Sequence, residues 1–170
     1  MTHIGSDDIK ALIQSMAKDT RVWLESTGRG DPLVIGIHTG GLWVAQRLRQ
    51  QLGISSPVGE LNIAFYRDDF SRIGIHPRVT PSHLPLAVDD RHLILVDDVL
   101  NSGRTIRAAM NEIFDWGRPA SICLAVLIER GGRELPIQAD VIGRRLDLPP
   151  HEHVKLTGPE PLALEIKKSE

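Results

Sequence analysis

Cysteine occurs once in the 170 residues, at Cys123, so no disulfide can close within the chain. A fold stapled by disulfides is excluded, and the reducing cytoplasm is the expected compartment. No apolar run approaches the roughly twenty residues that a membrane helix needs. The opening Met1-Thr2-His3-Ile4-Gly5-Ser6 has neither the basic start nor the apolar stretch of a signal peptide. The seven histidines show no metal-ligand spacing, and His151 and His153 read as solvated. There is no internal repeat and no low-complexity tract. A formal net charge of −2 gives no bulk electrostatic case for nucleic acid, although it leaves room for a local basic face. Against these absences, 41% hydrophobic and 25% charged residues suit one soluble domain with a real core.

Apolar periodicity alternates between two patterns along the chain. Ser6 is placed to cap a first helix, with Asp7 and Asp8 complementing its dipole. Ile9, Leu12, Ile13, Met16 and Ala17 then mark one helical face. Leu33 to Ile37 follows a turn-forming Gly-Arg-Gly-Asp-Pro and reads as a buried strand. His38-Thr39-Gly40-Gly41 breaks it, and a helix carrying Leu42, Ala45, Leu48 and Leu52 begins. Leu61, Ile63 and Phe65 alternate as in a strand. Residues 67 to 91, with Pro77, Pro81 and Pro85, keep no period; such a stretch is a functional lid or a disordered segment. Ile106, Ala109, Met110 and Ile113 predict a helix ending near Gly117. Ile122 to Ile128 reads as a further strand, with Cys123 as buried filler, and Asp140 to Gly143 as a short one. Two short strands, His153 to Thr157 and Leu162 to Ile166, close the chain. Trp23, Trp43 and Trp116 are expected to pack.

Strands separated by helical crossovers imply an α/β fold with a mainly parallel central sheet flanked by helices. Ligands in such sheets lie beyond the carboxyl ends of the strands. Thr39-Gly40-Gly41 and Asp97-Asp98 both sit at such ends, so they are expected to line one crevice.

The run Leu93 to Thr105 carries the most chemistry. An apolar strand reaches two adjacent carboxylates, Asp97 and Asp98, and then a small polar turn opens a helix. Neighbouring carboxylates repel, so their pairing points to a ligand. A turn rich in backbone N–H groups at a helix start suits a phosphate. Acids for sugar hydroxyls beside amides for a phosphate describe a site for a ribose 5-phosphate. The bland alternative is a strand end with an ordinary Asn-Ser-Gly turn.

This stretch resembles the phosphoribosyl pyrophosphate (PRPP) motif of type I phosphoribosyltransferases. The resemblance implies that Asp97 and Asp98 hold the ribose hydroxyls and that Val99, Leu100, Asn101, Ser102, Gly103, Arg104 and Thr105 complete the PRPP site around the 5-phosphate. It implies that Thr39, Gly40 and Gly41 meet pyrophosphate and that a mobile loop at about 67–91 delivers a basic side chain, Arg78 first and Arg72 second. Mg²⁺ would arrive on the substrate, without direct protein ligands. Tyr66-Arg67-Asp68-Asp69, Gly117-Arg118-Pro119-Ala120 and Arg130-Gly131-Gly132-Arg133-Glu134-Leu135-Pro136-Ile137 narrow the resemblance to the PyrR family.

Membership there implies uracil phosphoribosyltransferase activity, uracil plus PRPP giving UMP plus pyrophosphate, combined with regulation of pyrimidine biosynthetic genes. It implies the type I fold with a small hood, from about 129–170 plus the N-terminal segment, with Arg133 and Val154 at the base. Backbone groups would read much of the acceptor-donor-acceptor edge of uracil. A dimer or tetramer is implied, and a pyrimidine-operon leader RNA is a partner to be met by Arg107, Arg118, Arg144, Arg145, Lys10 and Lys18. Three positions depart from the familiar pattern: Gly40 stands where Arg is usual, and Glu129 and Gly132 replace Asp and His. The alternative reading is an RNA-binding attenuation regulator that senses UMP or PRPP with weak or no turnover.

Overall fold

The computed structural model describes residues 3–63 and 82–169. Strand β1 (His3–Ile4) leads into helix α1 (Ser6–Ser26), and β2 (Leu33–Ile37), α2 (Gly40–Leu52) and β3 (Gly59–Leu61) follow. Beyond residue 82 come β4 (His92–Leu100), α3 (Arg104–Trp116), β5 (Ser121–Arg130), β6 (Val141–Leu146), β7 (Glu152–Thr157) and β8 (Ala163–Lys168).

Five strands form one sheet in the order β3-β2-β4-β5-β6, with every neighbouring pair parallel. Its faces alternate residue by residue. Val34, Ile94, Val96, Cys123, Ala125 and Leu127 pack with α1 and α2. Leu33, Ile35, Leu93, Leu95, Leu124 and Val126 pack on the other face with Ile106, Ala109 and Ile113 of α3. Covering both faces explains why all five residues of β2 are buried and why the strands read as unbroken apolar runs. Leu48, fully buried under the sheet, is the kind of side chain whose truncation to Ala costs about 2–5 kcal/mol. Three glycines allow the close approaches: a Cβ on Gly36 would lie 2.6 Å from the Leu42 Cα, and one on Gly143 2.5 Å from the Leu127 carbonyl oxygen. At Gly41 the contact is with β4 itself.

A second sheet, β1-β8-β7, is antiparallel and joins the two ends of the chain. Strand β6 belongs to the main sheet rather than to this one, so 141–146 stands apart from the rest of the 129–170 segment. Arg130, 6% exposed, ties the two sheets by donating to the backbone carbonyl of Glu152.

Several local readings are corrected. Gly5, not Ser6, caps α1, and Ser6 is already helical. Strand β3 starts at Gly59 and ends at Leu61, two residues ahead of the expected alternation, because its pairing with β2 runs Ile35↔Gly59 to Ile37↔Leu61. From Ser82 onward the proline-rich stretch is anchored: His83 pairs with Glu60, and Leu84 and Val88 are buried in the α3-side core. Trp23 and Trp43 pack against the core, whereas Trp116 at the end of α3 is 49% exposed. Cys123 is fully buried, and burial, with Asp140 nearby, pushes its thiol up to about 12 against a small opposing effect of Arg29. It is filler and no nucleophile.

Candidate functional site

The strand order places a switch point between β2 and β4, where the chain leaves the sheet in opposite directions. Pairing of β2 with β4 ends at Gly36↔Val96, while β4 continues beside β5 to Leu100↔Glu129. The acids therefore lie within a strand, not after one, and their β2 side opens onto the start of α2. Asp97 is 5% exposed, and its Oδ1 accepts the Asp98 N–H at 2.9 Å. Asp98 is half-buried, and its Oδ1 accepts the Val99 N–H at 2.9 Å.

The expected crevice is closely drawn. A Cβ on Gly40 would lie 2.2 Å from Asp98 Oδ2, and one on Gly41 2.8 Å from the Val96 carbonyl oxygen and 3.1 Å from Asp97 Oδ1. Only glycine lets the first turn of α2 lie this near the two carboxylates. Thr39 caps that helix, exposed and without a side-chain cap hydrogen bond, after a cis peptide from His38. Any side chain at position 40 would meet Asp98 at its first carbon. His38 Nε2 is 3.3 Å from Glu60 Oε1 on β3 at the edge of this region.

Beyond β4, Asn101, Ser102 and Gly103 form the turn into α3. Gly103 adopts φ 92° and caps the helix, a left-handed conformation that favours glycine. Asn101 and Arg104 are exposed, Ser102 and Thr105 half-buried. Ser102 Oγ accepts the Arg104 N–H at 3.2 Å. The turn and the α3 N-terminus thus present N–H groups in the manner that holds a phosphate.

The segment after β5 is laced onto this turn. Glu134 and Leu135 donate their N–H groups to the Ser102 carbonyl at 2.9 and 3.1 Å, and Arg104 Nε meets Glu134 Oε2 at 2.7 Å. Arg133 donates to the Asn101 carbonyl and, at 2.9 Å, to Glu129 Oε1. Arg145 Nε meets the other Glu129 oxygen at 2.9 Å. Gly132, at φ 106°, stands with its Cβ position 2.9 Å from Asn101 Oδ1, so a side chain there would press on the turn. A cavity of about 230 Å³ opens here, lined by Glu129, Arg130, Gly131, Arg133, Arg145 and neighbours. Val154, on β7, is half-buried and packs against the α1–α2 side of the core.

The remaining site candidates divide. Arg72 and Arg78 lie outside the described residues, as does Tyr66-Arg67-Asp68-Asp69. Lys10 and Lys18 project from α1 on one face of the sheet, whereas Arg107 and Arg118 belong to α3 and its exit on the other. Arg144 and Arg145 are exposed on the edge strand β6, where Arg145 pairs with Glu129. Sequence reasoning missed the pairing of Glu134 with Arg104 and the bracing role of Asn101, whose signal is a backbone carbonyl and leaves no trace in side-chain identity.

The phosphoribosyl transferase domain family matches residues 6–154. Relatives named "Bifunctional protein PyrR" match nearly end to end. That of Nitrosococcus oceani is 61% identical over 162 residues, 94% of this chain and 92% of the relative. The chain belongs to the PyrR family. A PyrR of Pseudomonas putida (strain W619) is 58% identical over 154 residues, 91% of this chain and 90% of its own. Among solved structures, a hypoxanthine-guanine phosphoribosyltransferase from Bacillus anthracis superposes with a TM-score of 0.65 at 16% identity, over 84% of this chain and 82% of that one. At that identity the fold alone is shared, and it is the type I phosphoribosyltransferase fold. No helix among the described residues is long and apolar enough to cross a membrane.

Proposed function

We propose that this PyrR-family chain transfers the ribose 5-phosphate of PRPP to uracil, releasing UMP and pyrophosphate, and that it also regulates pyrimidine biosynthetic genes. The observation that carries the enzymatic reading is the apposition of Gly40 and Gly41 to Asp98 and Asp97, with a phosphate-type turn following on the same strand. Asp97 and Asp98 accept hydrogen bonds from the ribose hydroxyls. The Asn101 to Thr105 turn, backed by the α3 N-terminus, wraps the 5-phosphate. Amides of Thr39, Gly40 and Gly41 at the start of α2 take the pyrophosphate.

Bond breaking at C1 builds positive charge on the sugar and negative charge on pyrophosphate. Little proton transfer is needed, so rate enhancement comes from positioning, fixed dipoles and water exclusion. Arg78, with Arg72 as second choice, neutralises the departing pyrophosphate. Mg²⁺ enters as part of the PRPP substrate; the carboxylate oxygens of Asp97 and Asp98 suit a hydrated Mg²⁺, which keeps waters and substrate oxygens as ligands. Arg133 and Val154 flank the base, the cytoplasm is the working compartment, and a homodimer or homotetramer is the working form.

The regulatory partner is a pyrimidine-operon leader RNA. Lys10 and Lys18 lie on α1 and Arg107 and Arg118 on α3 and its exit, over opposite faces of the sheet, so an RNA surface that uses both sets would draw on more than one chain. Radiolabelled uracil with PRPP and Mg²⁺ tests the enzymatic reading: wild type forms UMP, and Asp97→Asn/Asp98→Asn does not while its fold is retained. Unchanged turnover in the double variant refutes the site.

A further inference from the structure

We propose that Glu129 is a positioning residue that fixes the Arg133 guanidinium over the base, so that this one carboxylate sets the affinity for the pyrimidine without setting that for the sugar phosphate. The proposal rests on the uracil reading above and extends it to a residue outside the sugar and phosphate contacts.

The geometry is a brace with two ends. Glu129 is the penultimate residue of β5 with its side chain 15% exposed, and the side chain of Arg133, four residues on, is 27% exposed. Oε1 holds Arg133 Nη2 at 2.9 Å while the other Arg133 terminal nitrogen donates to the Asn101 carbonyl. A guanidinium has five N–H groups. Two are spent here, which leaves three for acceptors such as the uracil oxygens among the partners described. Without Glu129 the Asn101 carbonyl is the one partner left among the described residues, and a single bond leaves a long side chain free to rotate.

Arg145 completes the ion pairing at 2.9 Å but is 75% exposed, so solvent screens it and its share is small. Its neighbour across the carboxylate, Arg133, is the partner with leverage. The segment that carries Arg133 is already hydrogen-bonded to Ser102 through Glu134 and Leu135. Loss of Glu129 therefore frees the arginine without releasing the backbone that shapes the phosphate turn.

Calorimetric titration of UMP and of ribose 5-phosphate separates base from sugar and needs no turnover. Glu129→Gln, which keeps the shape and removes the charge, is expected to weaken UMP binding about tenfold, the loss of one charge-assisted hydrogen bond. Ribose 5-phosphate affinity should stay within about twofold, too small a change for a lost hydrogen bond. Glu129→Asp should recover part of the UMP affinity, and Arg145→Ala should resemble wild type. Equal losses for both ligands, or none for either, would overturn the proposal. So would Arg145→Ala matching Glu129→Gln. Failure of wild type to form UMP in the radiolabelled assay would refute the enzymatic reading alone, since the two affinities decide the role of Glu129 independently.

Discussion

Adding one methyl group at each of two adjacent glycines should have different consequences, because the atoms facing them differ. At Gly41 the new Cβ meets the Val96 carbonyl oxygen at 2.8 Å and the Asp97 Cα at 3.0 Å. Both are backbone of a central strand, so neither can rotate aside; α2 itself must back away. Overpacking of this kind costs about 1–3 kcal/mol. In a chain of 170 residues that lowers Tm by about 3–10 °C. The shift also parts the amides proposed for pyrophosphate from the carboxylates proposed for ribose, and since a 1 Å misplacement costs about a hundredfold, a smaller one should cost about tenfold in kcat/KM. At Gly40 the obstacle is the Asp98 side chain, Oδ2 at 2.2 Å and Cγ at 2.8 Å, which can turn about its Cα–Cβ bond as backbone cannot. Gly40→Ala should leave Tm nearly unchanged and raise the PRPP KM about tenfold, the worth of a lost charge-assisted hydrogen bond to a ribose hydroxyl. Differential scanning calorimetry and steady-state UMP formation, run on both variants, read the two effects. A Gly40→Ala enzyme with the wild-type PRPP KM, or a Gly41→Ala chain with undiminished Tm, refutes the reasoning.

Three further outcomes are expected. Arg78→Ala should lower kcat far more than PRPP affinity, because neutralising the leaving group is a transition-state service; single-turnover rates alongside equilibrium binding check it. Glu112, 6% exposed on α3, has its carboxyl pKa raised by burial and by Asp115, against a Ser82 hydrogen bond that lowers it. Its folded pKa lies above the unfolded one, so its favourable contribution is complete in acid and is lost as pH rises; Glu112→Gln should gain stability at pH 7 but not at pH 4, as read by urea denaturation. Cys123, held near 12, should resist alkylation at pH 8.5 in the native state and react once unfolded, and its stability contribution, intact below about pH 9, should fade as pH climbs toward 12.

How much the sequence revealed follows from which interactions are local. The strands β2 and β5 and the helices α2 and α3 were legible because their burial is periodic and glycines or prolines mark their ends. The Asp97–Asp98 pair stood out as a candidate because adjacent acids repel and so sit awkwardly in a bland structural role. The continuation of β4 to Leu100 was not, since it depends on β5 alongside; a polar pair read from one strand looks like its end. Gly5 displaced Ser6 as the cap of α1 because Ile4 pairs with Leu164, which fixes where the chain turns into the helix. Glu129 was visible only as a departure from a pattern. Its pairing with Arg133 and Arg145 needs the loop after β5 and the edge strand β6 together, and no spacing encodes that. Trp116 was expected inside because tryptophan usually packs, yet it sits past the last apolar turn of α3.

The most direct measurement is isothermal titration of Mg²⁺–PRPP into the wild-type chain and into Asp98→Asn. The account predicts saturable heat at one site per chain, weakened at least about tenfold by the substitution, as expected for losing a charged acceptor. No heat with wild type, or the same affinity in both proteins, would contradict it.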